Sequence, residues 1–318
     1  MKRKIALVCA AAMALSLAAC GNTASTTSDS TASDSTASES SATAEAAGEE
    51  AAASDFDNTQ AITVITREEG SGTRGAFIEL TGVEEKNDAG EKVDNTSAGA
   101  ATQNSTNDVM TTVANDETAI GYISLGSLND TVKAVTVGGV TASADTVKDG
   151  TYTLARPFNI VTNGDATDPV AVDFINYCLS ADGQALATEE GYIGSDDAAA
   201  FESTQPSGSI TVGGSSSVSP LMEKLIEAYE GVNPNASLEM LTTDSTVGVS
   251  GALDGTYTIG MASRELQDSE VEAGAKATVL AMDGIAVIVN PANPIADLTT
   301  EQIKSIYTGE TTTWDAIQ

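Results

Sequence analysis

Two stretches of this chain share one plan: a short apolar strand, a loop of glycines and hydroxyls, then a helix. In the first, Ile62-Thr63-Val64-Ile65-Thr66 runs into Arg67-Glu68-Glu69-Gly70-Ser71-Gly72-Thr73-Arg74-Gly75-Ala76-Phe77. In the second, Ile210-Thr211-Val212 runs into Gly213-Gly214-Ser215-Ser216-Ser217-Val218. Ser219 then reads as an N-cap and Pro220 as the first turn of a helix whose core face is Leu221, Leu225 and Tyr229. Strands alternating with amphipathic helices through such loops predict an α/β fold with mostly parallel sheets, and in an open sheet of that kind ligands bind at the strands' carboxyl edge.

The chemistry of the first loop is that of an anion site. Gly70 and Gly72 allow a close backbone approach, the amides and hydroxyls of Ser71 and Thr73 would open a helix, and a helix N-terminus carries roughly half a positive charge. Arg67 adds a planar, permanently charged fork. On these residues alone the stretch is either half of an anion clamp or a Gly-rich turn with no ligand. A further hydroxyl-rich loop, Thr242-Thr243-Asp244-Ser245-Thr246, follows the strand Leu238-Glu239-Met240-Leu241.

Elsewhere, Asn107 is placed to cap a helix over 108–114, and Ala119 to Ile123 and Val132 to Val137 read as strands. Residues 86–104 read as a polar loop, and Asp168 begins a helix through Leu179 with Cys178 on its buried face. Asp283-Gly284 precedes Ile285-Ala286-Val287-Ile288-Val289, an apolar run long enough to pass between two lobes. Thr299 with Gln302 forms a capping box, with Gly309 beyond the helix end.

A formal net charge of −32 makes nucleic acid and anionic membrane surfaces poor partners, so an anion site needs a local cause such as buried amide dipoles. The chain has no histidine, which removes Ser-His and Cys-His catalysis and the commonest zinc ligand together. No metal or cofactor is called for. A nucleophilic Ser216 or Ser217 would need a lysine base, and Lys224 has no sequence reason to point back. No Gly-Lys-Ser/Thr follows the glycines as a P-loop requires, and sugar platforms are scarce at 4% aromatic residues.

Met1-Lys2-Arg3-Lys4 and the apolar run to Ala19 read as a signal peptide over residues 1–20. Its end, Leu17-Ala18-Ala19-Cys20-Gly21, resembles a bacterial lipobox, which implies lipidation of Cys20; the alternative is an ordinary signal peptide with an incidental cysteine. Residues 21–56, rich in Ser, Thr, Ala and Glu, read as a disordered tether.

Taken together, GGSSSVSPL (Gly213 to Leu221), DSTVGVSGAL (Asp244 to Leu253), IGMASREL (Ile259 to Leu266), DGIAVIVNP (Asp283 to Pro291), LTTEQIKSIYTGETTTW (Leu298 to Trp314) and TREEGSGTRGAF (Thr66 to Phe77) resemble the phosphate-binding proteins of bacterial phosphate ABC transporters, of the type II periplasmic-binding-protein class. The order differs. In that family the Ser-rich loop comes first, and the segment ending in tryptophan precedes the Arg and Gly-Ser-Gly-Thr motif. The chain therefore resembles a circular permutant, with fusion of two fragments as the alternative.

The resemblance implies a two-lobed fold, one lobe from 57–155 plus 291–318 and the other from 156–290, with a linker at 194–208. Hinges are expected near Ala155-Arg156-Pro157 and Val289-Asn290-Pro291. It places Ser217, the Val218 amide, Ser245 and Ser263 on one side of a phosphate and Arg67, Ser71, Gly72 and Thr73 on the other. Ser263 stands where many members have an aspartate that accepts the proton phosphate keeps and sulfate lacks, and Asp283 is expected to supply that acceptor. The implied function is capture of inorganic phosphate for an ABC permease by a monomer lipid-anchored at the outer face of a bacterial cell membrane. Binding of sulfate or molybdate, a sensory or adhesion module, and a phosphatase are the alternatives.

Overall fold

The computed structural model describes residues 56–317; the expected signal peptide, Cys20 and nearly all of the tether lie outside them. Among the described residues nine strands pair into one sheet. In chain order they are β1 (Thr63–Arg67), β2 (Ala101–Gln103), β3 (Ala119–Ser124), β4 (Lys133–Ala134), β5 (Ala155–Asn163), β6 (Gly208–Ser215), β7 (Ala236–Thr243), β8 (Ile259–Ala262) and β9 (Ala275–Val289). Across the sheet the order is β7-β6-β8-β5-β9-β3-β1-β2, with β4 also on β9. Each half holds a parallel trio with its earliest strand in the middle, β2-β1-β3 and β7-β6-β8, and antiparallel β5 and β9 lie between them.

Strand β9 belongs to both halves. Ala275 to Gly284 pair with β5, and Ile285 to Val289 pair with β3. Among the described residues the two largest buried clusters match this division: Ile65, Phe77, Tyr122, Ile288, Tyr307 and Trp314 belong to one, and Phe158, Phe174, Leu221, Tyr229 and Ile259 to the other. The two groups are called the first and second lobes below. The change of partner at Gly284/Ile285 comes earlier than the expected crossing near Val289. The apolar run 285–289 is wholly buried as a strand of the first lobe, so it does not bridge the two. Strand β5 runs through Pro157, where β9 is its flanking strand and β8 does not yet reach, so the missing amide is tolerated.

Four helices matter for the site: α1 (Gly72–Thr81), α2 (Thr106–Asn115), α3 (Ser219–Val232) and α4 (Ser245–Asp254). Ser71 caps α1 by accepting the Arg74 amide at 3.3 Å, and Asp244 caps α4 by accepting the Val247 amide at 2.8 Å. Two expected caps are displaced. Ser105, not Asn107, caps α2, and Val218, not Ser219, stands at the α3 cap, because the Ser219 hydroxyl turns back to the Ser215 carbonyl at 3.1 Å.

The expected polar loop at 86–104 contains part of a hairpin, Glu84–Lys86 with Lys92–Asp94, and the edge strand β2. The linker at 194–208 is held by Asp173, which accepts the Ser203 hydroxyl at 2.6 Å and the Thr204 amide at 2.8 Å. The helix Thr300–Thr308 carries the expected capping box and buries Ile303, Ile306 and Tyr307 in the first lobe. Beyond it, Ala61 bridges to Thr313, the Ile62 amide donates to the Thr312 carbonyl at 2.8 Å, and Trp314 packs edge-on to Phe56.

Candidate functional site

The first turns of all four helices meet at one point between the lobes. From the first lobe come Thr73 of α1 and Thr106 of α2; from the second come Ser215, Ser216 and Ser217 before α3, Ser245 of α4, and Ser263 after β8. Thr73 Oγ1 lies 2.8 Å from Ser217 Oγ and 3.4 Å from Ser263 Oγ, and Thr106 Oγ1 lies 3.1 Å from Ser217 Oγ. Ser263 Oγ is also 3.0 Å from Ser215 Oγ and 3.3 Å from Ser245 Oγ. All seven residues are buried.

Three of these hydroxyls, on Thr73, Ser215 and Ser245, already accept a bond and so keep a proton to donate. A hydroxyl has one proton, so when its oxygen accepts a bond from another donor its own proton is free to be donated elsewhere. The Ser263 amide donates to Ser245 Oγ at 3.0 Å, the Ser217 amide to Ser215 Oγ at 3.3 Å, and Arg156 Nη2 to Thr73 Oγ1 at 2.9 Å. Together with the positive ends of four helices, this is a place that favours negative charge inside an acidic protein.

Two buried arginines flank the hydroxyls. Arg67 forks onto Glu68 at 2.6 and 2.7 Å and reaches across the lobes to Ser216 Oγ at 3.1 Å. Arg156 donates from Nε to the Ser263 carbonyl at 2.9 Å, so together with its bond to Thr73 it holds one residue of each lobe. Its own position is fixed by sheet register, since Arg156 on β5 is the direct antiparallel partner of Asp283 on β9. The Arg156 Nη1 to Asp283 Oδ2 separation is 3.0 Å, yet Oδ2 lacks a hydrogen bond of acceptable direction, so the pair is an ion contact more than a directed bond. Burial pushes the Asp283 carboxyl up to about 6, with the Arg156 guanidinium and the Gly126 amide opposing it. Burial also lowers the pKa of Arg156, against the pull of Asp283.

Of the residues expected to face a ligand, Arg67, Thr73, Ser217, Ser245 and Ser263 come together. Gly72 is pressed against them: a Cβ there would lie 2.4 Å from Ser245 Oγ and 2.8 Å from Ser263 Oγ. Ser71 supplies the α1 cap. Two of the expected residues make other contacts. The Val218 amide is already donated to the Ser215 carbonyl at 3.1 Å, a bond made by the turn that starts α3. Asp283 makes no hydrogen bond to any of the hydroxyls, because its register partner Arg156 stands between. A polar cavity of about 170 Å³, lined by Thr106, Ser127, Ser216, Ser219 and Glu223 among others, adjoins the cluster. The larger cavity, about 580 Å³, lies under the 194–199 segment against β9 and touches none of the cluster.

A sequence profile described as a PBP superfamily domain matches residues 28–182 and 199–317. The chain belongs to the PBP superfamily. Its curated relatives include the phosphate-binding protein PstS 2 of Streptococcus agalactiae serotype V, 52% identical over 253 residues that span 80% of this chain and 86% of the relative. PstS 2 of Streptococcus pneumoniae serotype 4 is 43% identical over 269 residues, 84% of this chain and 91% of that one. Among solved structures, a phosphate-binding protein of a phosphate ABC transporter from Streptococcus pneumoniae TIGR4 superposes with a TM-score of 0.65 at 42% identity, covering 81% of this chain and 100% of that one.

In this PBP-superfamily chain, sequence reasoning missed Arg156, Thr106, Ser215 and Ser216 as members of the cluster. The hydroxyls had a signal, since Ser215 and Ser216 sit in the loop already singled out and Thr106 follows the α2 cap. Arg156 had none, as it lies within a strand and reaches the cluster only by the pairing of β5 with β9.

Proposed function

We propose that this chain captures inorganic phosphate between its two lobes and passes it to the membrane permease of an ABC importer. The observation that carries this reading is the convergence of hydroxyls from four helix N-termini, drawn from both lobes, beside two buried arginines in a chain of net charge −32. The names of relatives that match most of their own length agree with it.

Phosphate would displace the hydroxyl–hydroxyl contacts and accept from Thr73, Ser217, Ser245 and Ser263, with the amides of Gly72 and Thr73 at the open end of α1 and the arginine edges completing its shell. Each charge-assisted bond contributes about 1.5–3 kcal/mol before the cost of closure, so a surplus of three or four suffices for roughly micromolar affinity. Chemistry on the ligand is not required, and capture rather than turnover is the role. Lipidation at Cys20 would hold the chain at the extracytoplasmic face, as a monomer beside its permease.

Circular permutation would account for the order of segments. The bridge between Ala61 and Thr313 supports it, because it sets the tryptophan segment directly before the Arg67 motif in space, as the resemblance has it in sequence. Relatives of matching extent argue against a chance fusion of fragments.

A thermal-shift screen of ligand-stripped protein tests the reading against phosphate, sulfate, molybdate and arsenate. At a hundredfold excess over Kd, phosphate is expected to add about 2.7 kcal/mol of stability. A response to sulfate or molybdate alone would assign the cleft to another oxyanion, and no response to any of them would leave a sensory or adhesion role.

A further inference from the structure

The cleft contains two internally neutral ion pairs, and they differ in kind. Glu68 is partly exposed and grips Arg67 with both oxygens. Asp283 is completely buried, and its Oδ2 receives no directed hydrogen bond. Around it, Ser124 Oγ and Tyr192 Oη are also buried without a partner among the described residues. Hydrogen-bonding capacity is therefore concentrated at one carboxylate, and a proton placed on Oδ2 has neutral oxygens nearby to receive it.

Building on the phosphate reading, we propose that Arg156 binds the oxyanion directly and that Asp283 is its positioning residue, holding the guanidinium across the strand pair and taking up a proton when a doubly charged anion arrives. Arg156 already touches Thr73 Oγ1 at 2.9 Å, so an anion bound to that hydroxyl lies beside its Nη2 edge. As long as Asp283 is ionised it offsets the charge of Arg156. An incoming dianion raises the cost of that buried negative charge, a proton moves from buffer to Oδ2, and Arg156 is left with its full charge facing the anion. The groups that face Asp283 favour this response: Arg156 from β5 is the cation, Tyr152 and Tyr192 are uncharged phenols whose pKa burial raises, and the Gly126 amide donates to the other carboxylate oxygen at 3.4 Å. Arg67 adds a second positive charge near Arg156. The half-neutral state near pH 6 puts the carboxyl within reach of such a shift.

Calorimetric titration of the full chain with inorganic phosphate, at about pH 7.5 in two buffers of different ionisation enthalpy, reads proton uptake directly. The wild type is expected to take up more protons per phosphate than Asp283→Asn, in which only phosphate itself can carry one. Equal uptake in the two overturns the role of Asp283. Arg156→Lys, which keeps the charge and loses the fork, is expected to weaken binding tenfold or more; wild-type affinity overturns direct contact by Arg156. Should Asp283→Asn fail to fold, the double variant Arg156→Gln/Asp283→Asn removes both charges, and it must lose the same excess uptake. Wild type that gives no phosphate heat after ligand stripping overturns the phosphate reading itself, a result distinct from binding with unchanged proton uptake.

Discussion

Asp283 shows how one residue's surroundings translate into a property of the fold. Its carboxyl is raised by burial to about 6, so the folded state holds this proton more tightly than the unfolded chain does. The resulting stabilisation is fully present below about pH 4 and is lost as pH climbs through about 6, on the order of 2–3 kcal/mol over that interval. Asp283→Asn lacks the titration. Urea unfolding at the two ends of this range is therefore expected to show the variant gaining stability relative to wild type as pH rises, whatever constant offset the unpaired Arg156 introduces. Parallel pH profiles would contradict this assignment. Asp283 was visible in the sequence as a polar residue ahead of an apolar run, but its partner was not, because the pairing rests on the register of two strands more than a hundred residues apart.

Among the elements, the strand–loop–helix units were the most legible part of the chain. Gly70, Gly72 and the hydroxyls beside them announced α1 and its open end, and the Ser-rich loop announced α3, because local turn chemistry is written locally. The edge strand β2 was not legible: Ala101-Thr102-Gln103 has no apolar alternation and is strand only because β1 offers it a partner. The meeting of α1 and α4 yields a test. A Cβ on residue 72 would approach Ser245 Oγ to 2.4 Å, so Gly72→Ala must force the lobes apart at this contact. Overpacking of this kind costs about 1–3 kcal/mol, which in a cleft that must close becomes a loss of about tenfold or more in phosphate affinity. Calorimetry on the variant, with circular dichroism to verify folding, measures it; undiminished affinity would mean that the contact is not part of the bound form.

For the whole molecule the dominant fact is charge. A net −32 repels phosphate at long range, while the arginines and helix ends attract it only near the cleft. Raising ionic strength is expected to speed phosphate association, about twofold or more between low and physiological salt, as screening removes the distant repulsion first. Stopped-flow fluorescence from Trp314, in the first-lobe core, provides a readout; a rate that falls with salt would show that the local positive field governs capture from afar. The division into two lobes could be expected from the resemblance, whereas the point at which β9 changes lobes could not, since an apolar run looks the same on either side of a boundary.

The packing of Ile303, Ile306, Tyr307 and Trp314 into the first lobe has a consequence for biogenesis. Among the described residues that lobe is assembled from two stretches far apart in sequence, β1 to β3 and residues 298–314, whereas α3, α4 and strands β6 to β8 of the second lobe lie close together in the chain. Contacts that span most of a sequence form late, so the second lobe is free to mature on its own while β1 waits. During that wait the unfinished first lobe is the segment most exposed to proteases and chaperones.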